Sequence, residues 1–223
     1  MNSFKVKRFG LALAAVLAGC HGGKDTAAVV PTGLEPLEDT NLAAAPGAKD
    51  GDDYPEELSL VGGESDGYDW AHGRGYLHAS VSDVWAAMAQ PEVVVDRRRV
   101  QEWTVELDVD PDYDVSFLLH ETSHDIVTVE FDVTWIQGRL AGEEGAPTSV
   151  GARWTKTDGT DLIYLLQGSV LLEQVEAEIT EIQLIEHLDT PGSDSSDVEL
   201  VLNGLFDSLA ATIHGEPLPT YED

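Results

Sequence analysis

Hydrophobic and polar positions along this chain follow two rhythms. Between about Trp103 and Leu188 the period is two, the mark of strands with one face buried. Trp103, Val105, Leu107 and Val109 alternate with Thr104, Glu106 and Asp108, and Val127, Val129, Phe131, Val133 and Trp135 alternate with Thr128, Glu130, Asp132 and Thr134. Val115 to Leu119 is a shorter apolar run, preceded by the turn chemistry of Asp110-Pro111-Asp112. Arg153 to Lys156, then Asp158-Gly159, then Leu162 to Leu166 predict a hairpin with a tight turn. Val170 to Val175 and Ile179 to Leu188 predict two further strands.

The second rhythm, with a period of 3.6, appears in two segments. From Ser196 to about His214, residues Val198, Val201, Leu202, Leu205, Leu209 and Ile213 form one stripe wide enough to lie against a sheet. Ser195 and Ser196 are available as caps, Asp197 and Glu199 complement the positive helix end, and His214-Gly215 with Pro217 stops the helix. A shorter helix is expected from Ser82 to about Val94, with Val81, Val84, Trp85, Met88 and Val93 on one face, and Arg74 to Ala79 ahead of it reads as a strand. The resulting order is strand, short helix, about six antiparallel strands and a long C-terminal helix. That is an α+β layout in which one curved sheet is closed by one helix.

Upstream, neither rhythm is sustained. Residues 21–66 are rich in Ala, Gly, Pro, Asp and Glu, a composition expected to form a flexible tether, with Leu34 to Leu42 the one stretch able to hide a docking motif. Ahead of it, Lys5, Lys7 and Arg8 precede the apolar run Phe9 to Leu17, which is shorter than the roughly 20 residues of a membrane span and is built like a secretory signal. Leu17-Ala18-Gly19-Cys20 resembles the bacterial lipobox, whose cysteine is lipid-modified and becomes the new amino terminus; Cys20 is the single cysteine of the chain. The expected organisation is a signal over 1–19, a lipidated Cys20 with linker over 20–66, a folded domain over 67–216 and a tail over 217–223. It places the protein on the bacterial cell envelope, anchored in a membrane and facing the periplasm or the surface. His21 in place of an aspartate leans towards the outer membrane.

Gly75-Tyr76-Leu77-His78-Ala79-Ser80, followed by Val84-Trp85, resembles the opening of the START-like superfamily, also called the SRPBCC or Bet v 1-like group. Trp154, Asp158-Gly159-Thr160, Gly168-Ser169-Val170, Ile182 to Leu188 and the long last helix fit the same helix-grip plan. The resemblance covers about two thirds of the chain and includes no catalytic motif. It implies a cavity between sheet and helix that holds a lipid or another apolar molecule, and a minority of such proteins catalyse reactions there. The cavity walls would come from the inward faces of the strands and the inner helix stripe. Trp103, Val105, Phe117, Phe131, Val133, Trp135, Trp154, Leu202, Leu205 and Phe206 are the candidates. Gly204 joins them, because a glycine inside a helix costs about 1 kcal/mol relative to alanine and suggests close approach of a ligand or a strand to the backbone.

Other patterns compete with this reading. His120-Glu121-Thr122-Ser123-His124 satisfies the H-E-x-x-H pattern of zinc proteases, yet that chemistry needs a helix and its flanks alternate like strands. His120 and His124 across a turn remain an alternative metal pair. Asp108, Asp110, Asp112 and Asp114 invite a calcium loop, but Tyr113 and Leu119 occupy the positions where glycine and glutamate belong. Ser195, His187 and Asp189 lie close in sequence without a nucleophile elbow. No cofactor is expected. Arg97, Arg98 and Arg99 form the one basic cluster beyond the signal, suited to an anionic headgroup or to carboxylates such as Asp96 and Glu102.

Lysine and arginine number 12 against 42 acidic residues, a formal charge of −30. Such a surface excludes nucleic acid as a partner, and it keeps the domain off anionic membrane except through an anchor. A saline habitat would account for the acidity without any function. The main expectation is a membrane-anchored, non-catalytic lipoprotein that binds an apolar small molecule or lipid. The alternatives are an enzyme in the same cavity, of cyclase or hydrolase type or metal-dependent through His120, Glu121 and His124, and an interaction module whose core is filled.

Overall fold

The computed structural model describes residues 31–65, 67–124 and 127–221; the expected signal over 1–19 and Cys20 lie outside them. Eight strands and three helices follow in the order β1 (Leu58–Ser65), β2 (Tyr68–Leu77), α1 (Val81–Met88), α2 (Pro91–Val94), β3 (Glu102–Leu107), β4 (Val115–His124), β5 (Thr128–Glu143), β6 (Ala146–Gly159), β7 (Leu165–Glu176), β8 (Ile179–Asp189) and α3 (Ser195–Ile213). The strands form one antiparallel sheet ordered β1-β2-β8-β7-β6-β5-β4-β3. Register irregularities in the β5–β6 pair, between Asp132 and Val133 and again around Ala141, bend the long central strands. The sheet curls over α3, which is the helix-grip fold expected from the sequence.

The alternation sorts the two faces of the sheet. Ala71, Leu119, Trp135, Trp154, Val170, Leu184 and Glu186 point to the concave side, and their register partners confirm one continuous layer. Against it lies the α3 stripe, in which Val198, Leu202 and Leu209 are fully buried. Each such side chain contributes about 1.5–3 kcal/mol relative to an exposed one. At one end of this interior α1 fills the space. There Gln137 is buried yet satisfied, accepting from Trp85 Nε1 at 3.0 Å and donating to the Met88 carbonyl at 2.9 Å.

Three local expectations are corrected. The first helix stops at Met88, and Pro91 starts the separate turn α2, because proline brings no N–H and pushes its predecessor out of helical geometry. The cap of α3 is Asp194, one residue before the serines: it accepts from Ser196 N at 2.9 Å while its own N–H donates to Asp197 Oδ2 at 3.1 Å. Asp158-Gly159 makes no tight turn, since both residues continue pairing with Asp132 and Phe131 of β5. A wider loop over 160–164 leads to β7.

The largest correction concerns residues 31–65, expected as flexible tether. Residues 58–65 are strand β1, pairing with β2 from Leu58 opposite Gly75 to Ser65 opposite Tyr68. Residues 32–42 form a strap across the convex face. Tyr113 donates to the Thr32 carbonyl at 2.9 Å, Arg153 to that of Glu35 at 3.0 Å, and Leu37 N to Ser169 Oγ at 2.9 Å. Asn41 Nδ2 donates to the carbonyls of Gly73 and Leu184, and Leu42 N to His72 Nδ1 at 2.9 Å. The anchor is Leu34, 1% exposed. It sits in a slot made by the paired glycines Gly138 and Gly151, where an added Cβ would lie 2.8 and 2.6 Å from Leu34 atoms. The Leu34 to Leu42 stretch thus docks, on its own sheet.

Candidate functional site

Away from α1, between the sheet and α3, lies a cavity of about 580 Å³. Phe131, Val133 and Trp135 of β5 and Trp154 of β6 form its back wall, Val201 and Leu205 of α3 its roof, and the 190–193 loop, Leu162 and Val127 its edges. The aromatic wall has a specific cause. Gly168 of β7 lies opposite Trp154, and any Cβ there would come within 2.0 Å of the indole. The ring therefore lies flat over the glycine and stacks on Trp135, with centroids 4.7 Å apart and planes 15° apart.

Polar groups interrupt this apolar lining. Asp96 from the loop after α2, Glu121 of β4 and Glu186 of β8 all face the cavity, with Arg99 and Asp197 at its margin. Glu186 is 1% exposed, and its Oε2 has no hydrogen-bond partner among the described residues. Burial drives its pKa well above the usual carboxylate range, and the nearby Asp96 and Glu121 push the same way against Arg99. Burial, with help from Asp96, lifts Glu121 to about 8. Asp96 is raised as well, mainly by burial and against the Arg98 N–H that its Oδ1 accepts at 3.1 Å. Arg99, the one cation on the lining, is engaged with Asp197 of α3. Four carboxyl groups thus face one guanidinium that already has a partner.

Of the eleven lining candidates, the cavity gathers Phe131, Val133, Trp135, Trp154 and Leu205. Phe117 and Leu202 are buried in solid core, and Phe206 packs there beside them. Trp103 and Val105 are in register with the concave face, but β3 is an edge strand lying beyond the cavity. Trp103 is covered by the Arg97 guanidinium, 5.0 Å from its ring centroid. Gly204 is corrected: the group close to its backbone is Arg98, whose Nη1 would lie 2.4 Å from an added Cβ, with the Tyr221 hydroxyl at 3.4 Å. The arginine cluster serves the fold. Arg98 donates to the Leu200 carbonyl, and Arg97 to that of Glu92 at 2.9 Å.

The zinc pattern is dismantled by the same alternation. His120, Glu121 and His124 lie on strand β4, so Glu121 points inward while the two histidines point outward, roughly 13 Å apart along the strand. His120 bonds Asp132 Oδ1 at 2.7 Å, which raises its pKa. Among the described residues no group of three or more His, Cys, Asp or Glu is placed to hold a metal ion. The aspartates at 108–114 form a turn in which Asp110 accepts from Asp112 N and Asp114 from Arg139 N. His187 is bonded to Glu38 of the strap at 2.7 Å, on the convex face. Sequence reasoning missed the acids of the cavity as a group, naming Glu121 only in the zinc pattern, Asp96 only as a partner of the arginines and Glu186 not at all. Their signal was available: Glu186 stands at an inward position of a strand reading Ile182, Leu184, Glu186, Leu188.

No family model and no curated protein matches the sequence. Among solved structures, the human StarD13 (DLC2) lipid transfer and protein localization domain is 11% identical, with a TM-score of 0.48 over 73% of this chain and 85% of that one. Human StAR-related lipid transfer protein 5 is 12% identical, with a TM-score of 0.47 over 71% and 80%. An aromatase/cyclase from a Streptomyces species is 9% identical, with a TM-score of 0.42 over 71% and 94%. What the cavity can hold follows from its own side chains.

Proposed function

We propose that this protein is a membrane-anchored cell-envelope lipoprotein that binds one apolar small molecule or lipid between its sheet and α3. The observation that carries the reading is the cavity itself: about 580 Å³, within the range of small-molecule sites, with a mostly apolar lining and a few convergent polar groups. The stacked Trp135 and Trp154 supply a flat apolar wall of the kind such ligands need. In this reading the chain runs from Cys20 to the strap, which begins at Thr32. Residues 31–65 belong to the binding domain.

Native mass spectrometry of the mature chain, produced from His21 so that no acyl group is attached and every described residue is kept, tests the proposal. An excess of a few hundred daltons over the denatured mass, extractable into organic solvent, is the expected result. A bare protein whose Trp135 and Trp154 fluorescence also ignores apolar probes would end the container reading and leave an interaction module.

A further inference from the structure

The cavity's acidic lining points to one class of ligand, and the inference rests on the container reading above. We propose that the cavity selects an apolar molecule carrying a protonated amine, whose ammonium group is received by Glu186 within the field of the neighbouring Glu121 and Asp96. Three observations lead there. Glu186 is buried, faces the cavity and leaves Oε2 without a partner among the described residues, a cost that a natural interior avoids unless something else fills the valence. Its neighbours worsen the position, because Glu121 and Asp96 share the same apolar enclosure and like charges there repel strongly. The nearby cation is already engaged, since Arg99 pairs with Asp197.

The interior treats an ordinary buried polar group differently. Gln137, at the filled end, has both ends of its amide bonded. A metal ion would need the carboxyls gathered around a point, and among the described residues they are not so gathered. A hydroxyl would satisfy Glu186 Oε2 but leave the cost of ionising neighbouring acids in one apolar enclosure in place. One organic cation relieves both, through charge-assisted hydrogen bonds of the strong kind. Trp135 and Trp154 would hold the apolar skeleton and add an aromatic face for the cation. Because burial and the neighbouring acids hold Glu121 and Glu186 towards the protonated form when the cavity is empty, entry of an ammonium group expels protons into solution.

The test uses the mature chain and three probes of equal length, 1-aminododecane, 1-dodecanol and dodecanoic acid, at neutral pH in about 0.5 M salt, which screens attraction to the acidic surface. Binding is read by tryptophan fluorescence and by calorimetry in two buffers of different ionisation enthalpy. The amine is expected to bind at least about tenfold more tightly than the alcohol, with proton release, and the acid most weakly. In Glu186→Gln the amine's advantage should shrink to about threefold or less, and in Glu186→Gln with Glu121→Gln it should vanish. The single variant carries the test if the double one does not fold. An alcohol that binds as well as the amine overturns the proposal and leaves the container standing. An amine preference that survives in the folded variants also overturns it, by assigning the preference to the surface. Failure of all three probes overturns both readings.

Discussion

The two faces of the sheet bury polar groups in opposite ways. On the convex face three buried polar side chains meet the strap, where His72 Nδ1 accepts from Leu42 N, Ser169 accepts from Leu37 N and His187 bonds Glu38, while Glu181 is held by Arg74 and Ser116 by Asp110. On the concave face the buried acids meet empty space. Both arrangements desolvate titratable groups, but one is closed by chain already present and the other is left open. A polar group bonded by its own fold stabilises that fold, whereas one left unpaired costs stability until a ligand arrives. The contrast therefore predicts opposite responses to mutation and to pH.

The largest effect is expected where the open face depends on its aromatic wall. Trp154→Ala removes a nearly buried indole that nothing else can replace above Gly168, and should cost about 3–5 kcal/mol in urea denaturation. A loss under half of that would mean the wall collapses to fill the space. Next comes the pH profile of the open face. Glu121 has a folded pKa of about 8 against 4.5, so its favourable contribution is complete below pH 4.5 and is lost as the pH rises to about 8. At roughly 1.4 kcal/mol per unit, discounted for relaxation, the drop is on the order of 3 kcal/mol. Glu121→Gln should flatten the stability profile over that window, with Glu186 retaining part of the slope. An unchanged slope would place Glu121 in water.

On the closed face the expected effects are smaller. Leu34→Ala empties the slot between Gly138 and Gly151 and should cost about 2–3 kcal/mol, with protease cleavage appearing first within residues 31–45. Cleavage elsewhere before the strap would show that the strap is not the weakest contact. Smallest is the acid response of His72, whose pKa is lowered by burial more than Glu38 raises it. Its Nδ1 accepts from Leu42 N and loses that bond on protonation. This contribution is present above pH 6.5 and lost as the pH falls through the lowered folded value, the reverse of Glu121. His72→Asn, which can still accept from Leu42 N, should remove about 1 kcal/mol of acid sensitivity. Equal sensitivity in wild type and variant would move the acid response to another group.

The strands, α3 and the α+β order were legible in the sequence because their information is periodic and local. Val198, Leu202 and Leu209 mark a helix face wherever that face lands, and Phe131, Val133 and Trp135 mark an inward strand face whatever lies across from it. The resemblance of Leu17 to Cys20 to a lipobox is likewise a local pattern, and it rests on sequence alone. The strap was not legible, since a segment held by one leucine and by side chains from five other parts of the chain has no rhythm of its own. Nor was the division of the interior. Phe117 and Phe131 look alike in sequence, yet Phe117 is solid core and Phe131 lines the cavity. What separates them is what lies across from each in the fold, packed side chains for Phe117 and the open cavity beyond α1 for Phe131. For the same reason sequence places Glu121 and Glu186 on inward faces, while only the tertiary structure brings them, with Asp96, into one desolvated enclosure where their charges interact.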